Sequence, residues 1–167
     1  MAVRLRLAEE SDVPSMAAIR ALEWGTEAFW KDRISRYLRG QHSPRQALAA
    51  RTAFVATDGS HLAGFVAGHK TRRFGCDGEL QWINVVKERR GQGVADLLMT
   101  TMGAWFAAQH ARRICVNVDP SNVTARRLYA RHGAQILNEH WMTWEDARVM
   151  RTSGGPGHFR NAGRASR

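Results

Sequence analysis

The chain has 167 residues, 44% of them hydrophobic, which suits one soluble domain with a real core. Its formal net charge of +10 favours anionic ligands over cationic ones. No apolar run approaches the roughly 20 residues a membrane-spanning helix needs, no signal-peptide core follows the N-terminus, and Cys76 and Cys115 match neither a disulfide framework nor metal-ligand spacing, so a reduced, cytoplasmic setting is expected.

Residues 3–7 alternate and predict a strand. Ser11 or Asp12 can cap a helix starting near Val13, with Pro14 in its first turn and Val13, Met16, Ala17 and Ile19 as its apolar stripe. A second helix is expected over residues 29–38, with Trp30, Ile34, Tyr37 and Leu38 on one face and Gly40 as its stop. Ser43-Pro44 reads as the opening of a short helix reaching Ala50. Residues 53–57 and 61–70 predict a hairpin across Asp58-Gly59, and residues 79–86 a further strand. A helix follows from Gly93 to about His110, with Val94, Leu97, Leu98, Thr101, Met102, Trp105 and Phe106 at helical spacing. Residues 113–118 predict a strand, residues 122–132 a helix stopped by Gly133, and residues 134–137 and 141–144 two final strands. The pattern is an α/β domain with a mixed sheet and helices on both faces, over residues 1–147. No acid follows Asp146, whereas Arg148, Arg151, Arg160, Arg164 and Arg167 do, among several glycines. Residues 148–167 are expected to be a flexible basic tail, either simply solvated or weakly attracted to polyanions.

The most informative stretch joins the strand over residues 79–86 to the long helix. Arg89, Arg90, Gly91, Gln92 and Gly93 fill the junction. A helix N-terminus carries unpaired N–H groups and partial positive charge, so it can hold an anion. Glycines allow close approach of a ligand to the backbone. The local expectation is a pyrophosphate cradle. It is no P-loop, because no G-x-x-x-x-G-K-S/T string exists, and Asp96 occupies the last glycine slot of a dinucleotide fingerprint.

Arg90-Gly91-Gln92-Gly93-Val94-Ala95 resembles the acyl-CoA loop of the GNAT acetyltransferase superfamily, written Q/R-x-x-G-x-G/A. Asn122 through Ala134 resembles that superfamily's second signature, N-x-x-A-x-x-L-Y-x-x-x-G-F/A, and residues 4–12 resemble its usual opening strand and helix cap. The resemblance spans about residues 3–145 and implies a GNAT fold: a mixed, mostly antiparallel sheet in which two parallel strands splay to hold acyl-CoA. It implies acetyl-CoA as co-substrate, with its pyrophosphate on the backbone N–H groups of Arg90, Gly91, Gln92, Gly93, Val94 and Ala95. Val85 would offer main-chain groups to the pantetheine arm and thioester carbonyl, and Asn122 would lie along the same arm or simply cap its helix.

The implied reaction is transfer of an acetyl group to a primary amine by direct attack on the thioester. Tyr129 occupies the signature's tyrosine slot and is the implied general acid for the sulfur; the alternative is a core tyrosine. Glu79 stands eleven positions before Arg90, the offset of the catalytic glutamate in the histone-acetylating branch, and is the implied general base; the alternative is a solvated strand-end carboxylate. Asn117 stands where ribosomal-protein acetylating relatives carry a glutamate, and an amide cannot act as base, which shifts weight to Glu79.

His69 reads as an exposed or capped histidine, or else as a relay. Cys115 reads as core, and Cys76 has no base placed beside it. Of Trp82, Trp105, Trp141 and Trp144, one or two are expected to line an acceptor pocket. No metal site is expected. Two rivals stand beside the enzyme: a non-catalytic acyl-CoA-binding regulatory module, which would dispense with the acid and base, and a nucleic-acid-binding domain, which rests on charge alone. The amine acceptor, small molecule or protein, is not legible, and a homodimer stays open.

Overall fold

A computed structural model describes residues 2–151. Its elements run β1 (Arg4–Leu7), α1 (Val13–Ala21), α2 (Glu27–Leu38), β2 (Ala47–Asp58), β3 (His61–Thr71), β4 (Gly78–Val85), α3 (Val94–Ala108), β5 (Ile114–Asn117), α4 (Val123–Arg131), β6 (Gln135–Asn138) and β7 (Trp141–Trp144). The seven strands form one sheet in the order β1-β2-β3-β4-β5-β7-β6. Every neighbouring pair is antiparallel except β4 and β5, which are parallel. No helix among the described residues is long and apolar enough to cross a membrane.

Alternation along the central strands builds a core on each face of the sheet. Val55, Phe65 and Ala67 pack under α1 and α2 with Trp30, Ile34 and Tyr37. Ala56 and Val66 point the other way, towards Leu98, Met102 and Phe106 of α3. Strand β4 breaks this rule. Leu80 lies in the α3 core and Trp82 in the α1–α2 core, although two residues apart should share a face. The cause is a β-bulge: Gly68 of β3 pairs with Leu80 and Ala67 with Trp82, which leaves Gln81 as the extra residue. Pairing between β4 and β5 stops at the same point. It covers Gly78↔Ile114, Glu79↔Cys115 and Leu80↔Val116 and goes no further. Beyond the bulge the two parallel strands part.

Several local readings change. Helix α2 starts at Glu27, because the Thr26 side chain accepts a hydrogen bond from the Phe29 N–H at 3.1 Å and caps it there. The helix expected to reach Ala50 does not form; Ala47 already pairs with Thr71 and opens β2. The good helix propensity of Ala47-Leu48-Ala49-Ala50 yields to sheet pairing. Arg51 then ties the preceding turn down through the carbonyl oxygens of Tyr37, His42 and Leu48. Asp12 sits at the N-cap of α1, but its carboxylate is spent on Arg6 and on the Glu9 N–H.

The boundary expected at residue 147 falls inside a further 3-10 turn, Ala147–Arg151. This turn seats on α3 at Gly103, where a Cβ would lie 2.8 Å from that of Met150, so only glycine permits the approach. Met150 is fully buried. Residues 152–167, the rest of the expected basic tail, lie outside the described residues. Met150→Ala is expected to lower unfolding stability by about 2–5 kcal/mol, the usual range for a truncated core methionine. Urea denaturation measures it, and a wild-type midpoint would place the turn outside the cooperative core.

Candidate active site

A cavity of about 530 Å³ opens where β4 and β5 diverge. Gln81, Trp82 and Ile83 of β4 and Asn117 at the end of β5 line its floor, with Asn122 and Tyr129 of the α4 segment on one side and Arg20, Glu23, Trp24 and Trp30 on the other. Glu79, Arg73 and Trp141 line the far end. The structure thus brings Tyr129, Glu79 and Asn122 to one space. Val85 and the loop over residues 90–95 lie beyond it, at the C-terminal end of β4.

That loop meets the needs of an anion site. Gly93 is the N-cap of α3 at φ 83°, and Gly91 has φ 76°, in the region that favours glycine. No Cβ neighbour crowds either position. None of the backbone N–H groups from Gly91 to Asp96 has a hydrogen-bond partner among the described residues. The side chains brace the loop. Arg90 Nε donates to the Val85 carbonyl at 3.3 Å, Gln92 Nε2 to the Glu88 carbonyl at 3.1 Å, and Arg89 pairs with Asp58 at 3.1 Å. Asn122 acts as the N-cap of α4 through a bond from the Ala125 N–H at 3.1 Å while also facing the cavity.

Tyr129 is 6% exposed and packs edge-on to Trp144, with centroids 5.6 Å apart. Burial raises its pKa, against a smaller opposing pull from Arg20, so the hydroxyl stays protonated at neutral pH. Glu79 is 4% exposed. Arg73 Nε donates to its Oε1 at 2.8 Å. Burial raises the Glu79 pKa, and the nearby Arg73 charge and hydrogen bond offset only part of the rise.

His69 is a correction. It is fully buried, not exposed. Its Nδ1 lies 2.9 Å from the Tyr37 hydroxyl, and its Nε2 lies 3.8 Å from Glu79 Oε2 with no hydrogen-bond partner. Burial, helped by Arg51 and Arg73, pushes its pKa down to about 3, so the ring is neutral. Cys76 and Cys115 are both buried free thiols. Among the four tryptophans considered, Trp82 and Trp141 line the cavity.

Sequence reasoning passed over Arg20 and Glu23, which line the cavity, and Asn84, which braces them. Arg20 bonds Glu23 and Asn84, each at 3.2 Å, and Asn84 Nδ2 donates to Glu23 at 2.8 Å. Arg20 also stacks over Trp30 at 4.4 Å. Asn84 was hidden inside a strand that reads as apolar, and Glu23 in a loop without a motif. No group of three or more His, Cys, Asp or Glu residues among the described residues could hold a metal ion.

A sequence profile of the Acetyltransferase (GNAT) family matches residues 16–134. No curated protein matches the chain by sequence. Solved structures match its fold. One is the PaiA N-acetyltransferase of Thermoplasma acidophilum in complex with coenzyme A, 12% identical, covering 87% of this chain and 99% of that one with a TM-score of 0.65. A second is Ard1 from Thermoplasma volcanium, 19% identical, covering 86% and 95% with a TM-score of 0.66. A third is the spermidine N-acetyltransferase SpeG of Vibrio cholerae, 19% identical, covering 88% and 95% with a TM-score of 0.62. At these identities the likeness concerns the fold alone.

The bulge yields a test of the cleft. Deleting Gln81 would restore regular pairing while leaving Leu80 and Trp82 on their present faces, since adjacent residues alternate. The variant is expected to fold, to extend β4–β5 pairing, and to lose its thermal shift with acetyl-CoA. A wild-type thermal shift in a folded deletion variant would show that the cleft does not depend on the bulge.

Proposed function

The chain belongs to the Acetyltransferase (GNAT) family, and from this premise we propose that it is an acetyl-CoA-dependent N-acetyltransferase that acts on a primary amine. The observation that carries this reading is the run of free N–H groups from Gly91 to Asp96 at the head of α3, beyond a cleft that holds Tyr129 and Glu79. A pyrophosphate on those N–H groups meets preorganised donors and the positive end of the helix dipole. The pantetheine arm then runs between β4 and β5, past Asn122 and the main chain near Val85.

An ammonium ion has no free lone pair, so the acceptor must lose a proton before it attacks. Glu79 is the proposed base. Its Oε1 is held by Arg73, which leaves Oε2 to take the proton, directly or through water. Its raised pKa makes it a stronger base than an ordinary glutamate. The freed amine attacks the thioester carbonyl, and a strand N–H near Val85 can stabilise the oxyanion. The tetrahedral intermediate collapses, the C–S bond breaks, and the Tyr129 hydroxyl donates to the departing sulfur. An acid and a base facing one cavity favour an enzyme over a non-catalytic binding module.

An amine panel read by release of free CoA tests the reading, together with thermal stabilisation by acetyl-CoA. Gly93→Asp is expected to abolish that stabilisation by placing a side chain and a negative charge in the cradle; normal CoA affinity in the variant would remove the assignment. Tyr129→Phe is expected to keep cofactor affinity and lose roughly tenfold or more in turnover. Unchanged turnover at saturation would leave Tyr129 as a core residue only.

The pH dependence follows from the sign of the Glu79 shift. A base works deprotonated, so kcat/KM should rise with pH through a pKa above the ordinary glutamate value. Glu79→Gln is expected to lose most activity at neutral pH and to recover part of it at alkaline pH, where free amine forms unaided. A loss uniform across pH would instead assign Glu79 to holding the ammonium by charge.

A further inference from the structure

Resting on the acetyl-transfer reading, we propose that the acceptor is an amino acid with a bulky apolar side chain, and that Arg33 and Arg73 bind its carboxylate. Two guanidinium groups line the cavity with donor capacity to spare. Arg73 spends Nε on Glu79 and lays its face over Trp141 at 4.7 Å, and neither of its Nη atoms has a hydrogen-bond partner among the described residues. Arg33, from α2, lies over the Phe29 ring at 5.1 Å and has no acidic partner among the described residues.

Each of the cavity's acids has a partner, and Glu79 Oε2 and Asp119 Oδ2 are the oxygens left without a hydrogen bond among the described residues. Glu23 takes Arg20 and Asn84, Glu79 takes Arg73, and Asp119 takes the Ser121 N–H and hydroxyl. An ammonium at Glu79 Oε2 therefore lies beside spare guanidinium donors, which repel a second ammonium and attract a carboxylate. An α-amino acid matches this pairing: its ammonium faces Glu79 Oε2 while its carboxylate, two bonds away, faces the Arg73 fork. A guanidinium suits that task because its planar donors match a carboxylate.

The anion bound there is not the cofactor's pyrophosphate. Glu79 and Val85 stand six residues apart on one strand, which at strand rise is roughly 20 Å. The Arg73 pair is at one end and the phosphate loop beyond the other. Trp24, Trp30, Trp82 and Trp141 line the same cavity and supply an apolar wall for the side chain. Trp24 is 56% exposed, so this wall is reachable at the mouth.

The test uses matched acceptors in the free-CoA assay on the full chain: L-tryptophan against tryptamine and L-phenylalanine against phenylalaninamide. The amide controls for basicity, because its amine is less basic than that of the amino acid. The carboxylate member of each pair is expected to show a kcat/KM higher by roughly ten- to hundredfold, the scale of a charged hydrogen bond. Arg33→Gln should raise KM for the amino acids and draw both ratios towards one. Equal or faster turnover of the amine and the amide would overturn the substrate class and leave acetyl transfer standing. So would an Arg33→Gln loss shared equally by both members of each pair. No CoA release from any amine, polyamines and lysine peptides included, by protein that binds acetyl-CoA would overturn both readings.

Discussion

One unpaired residue in the middle of β4 sets the geometry on which everything else depends. In a regular strand Glu79 and Trp82 would face opposite sides of the sheet. The bulge at Gln81 shifts the alternation, so Glu79, Trp82 and Asn84 all present to the side of α1 and α2. It also bends the strand where pairing with β5 stops. A sheet that carries two hydrophobic cores cannot open a cleft by losing a strand. Here it does so by inserting one residue, at the cost of about one ladder hydrogen bond, on the order of 1 kcal/mol. Both cores stay closed, because Leu80 and Trp82 each keep their own side.

The cleft walls are tied to each other at a second point. Asp96, in the first turn of α3, accepts from Arg131 at 2.6 Å and lies 2.7 Å from His132 Nε2. The other ring nitrogen of His132 lies 3.0 Å from the Met150 carbonyl, and the His132 carbonyl accepts from Trp144 Nε1 at 3.1 Å. His132 is fully buried, so its bonds with Met150 and Trp144 are shielded from water, whereas the Asp96–Arg131 pair is partly exposed. They lock the start of α3, which follows the glycine loop, to the end of α4, which carries Tyr129. A ligand held at that loop would stand in fixed register with the tyrosine.

The parts of this design that are local in sequence were legible there. Arg90 to Ala95 could be read as a glycine turn opening a helix, because glycine conformation and a helix start are neighbours along the chain. Asn122 to Ala134 could be read as a helix with Tyr129 on its apolar stripe. The parts that depend on pairing were not. Nothing in Glu79-Leu80-Gln81-Trp82 announces a bulge, since its signature is the register against β3. The same holds for Ala47 to Ala50, whose helical composition loses to Thr71 across the sheet. His69 looked like an exposed strand end because its partners, Tyr37 and Glu79, come from other elements. Arg20, Glu23 and Asn84 form a network only in three dimensions.

The environment of Glu79 explains how one carboxylate can be both fixed and basic. A fully paired glutamate would be held too firmly as an anion to accept a proton near neutrality. An unpaired buried one would be protonated already. Arg73 supplies one hydrogen bond, and burial outweighs it, so the balance stays on the basic side of an ordinary glutamate. That balance requires the nearest imidazole to be uncharged. A cationic His69 would be a second positive charge beside the carboxylate and would pull its pKa back down. Burial and the charges of Arg51 and Arg73 exclude that cation. The Tyr37 hydroxyl, whose own pKa burial drives upward, keeps its proton and shares a 2.9 Å hydrogen bond with Nδ1. Glu79 Oε2 therefore looks onto an uncharged imidazole 3.8 Å away, and its basicity is set by desolvation and a single guanidinium.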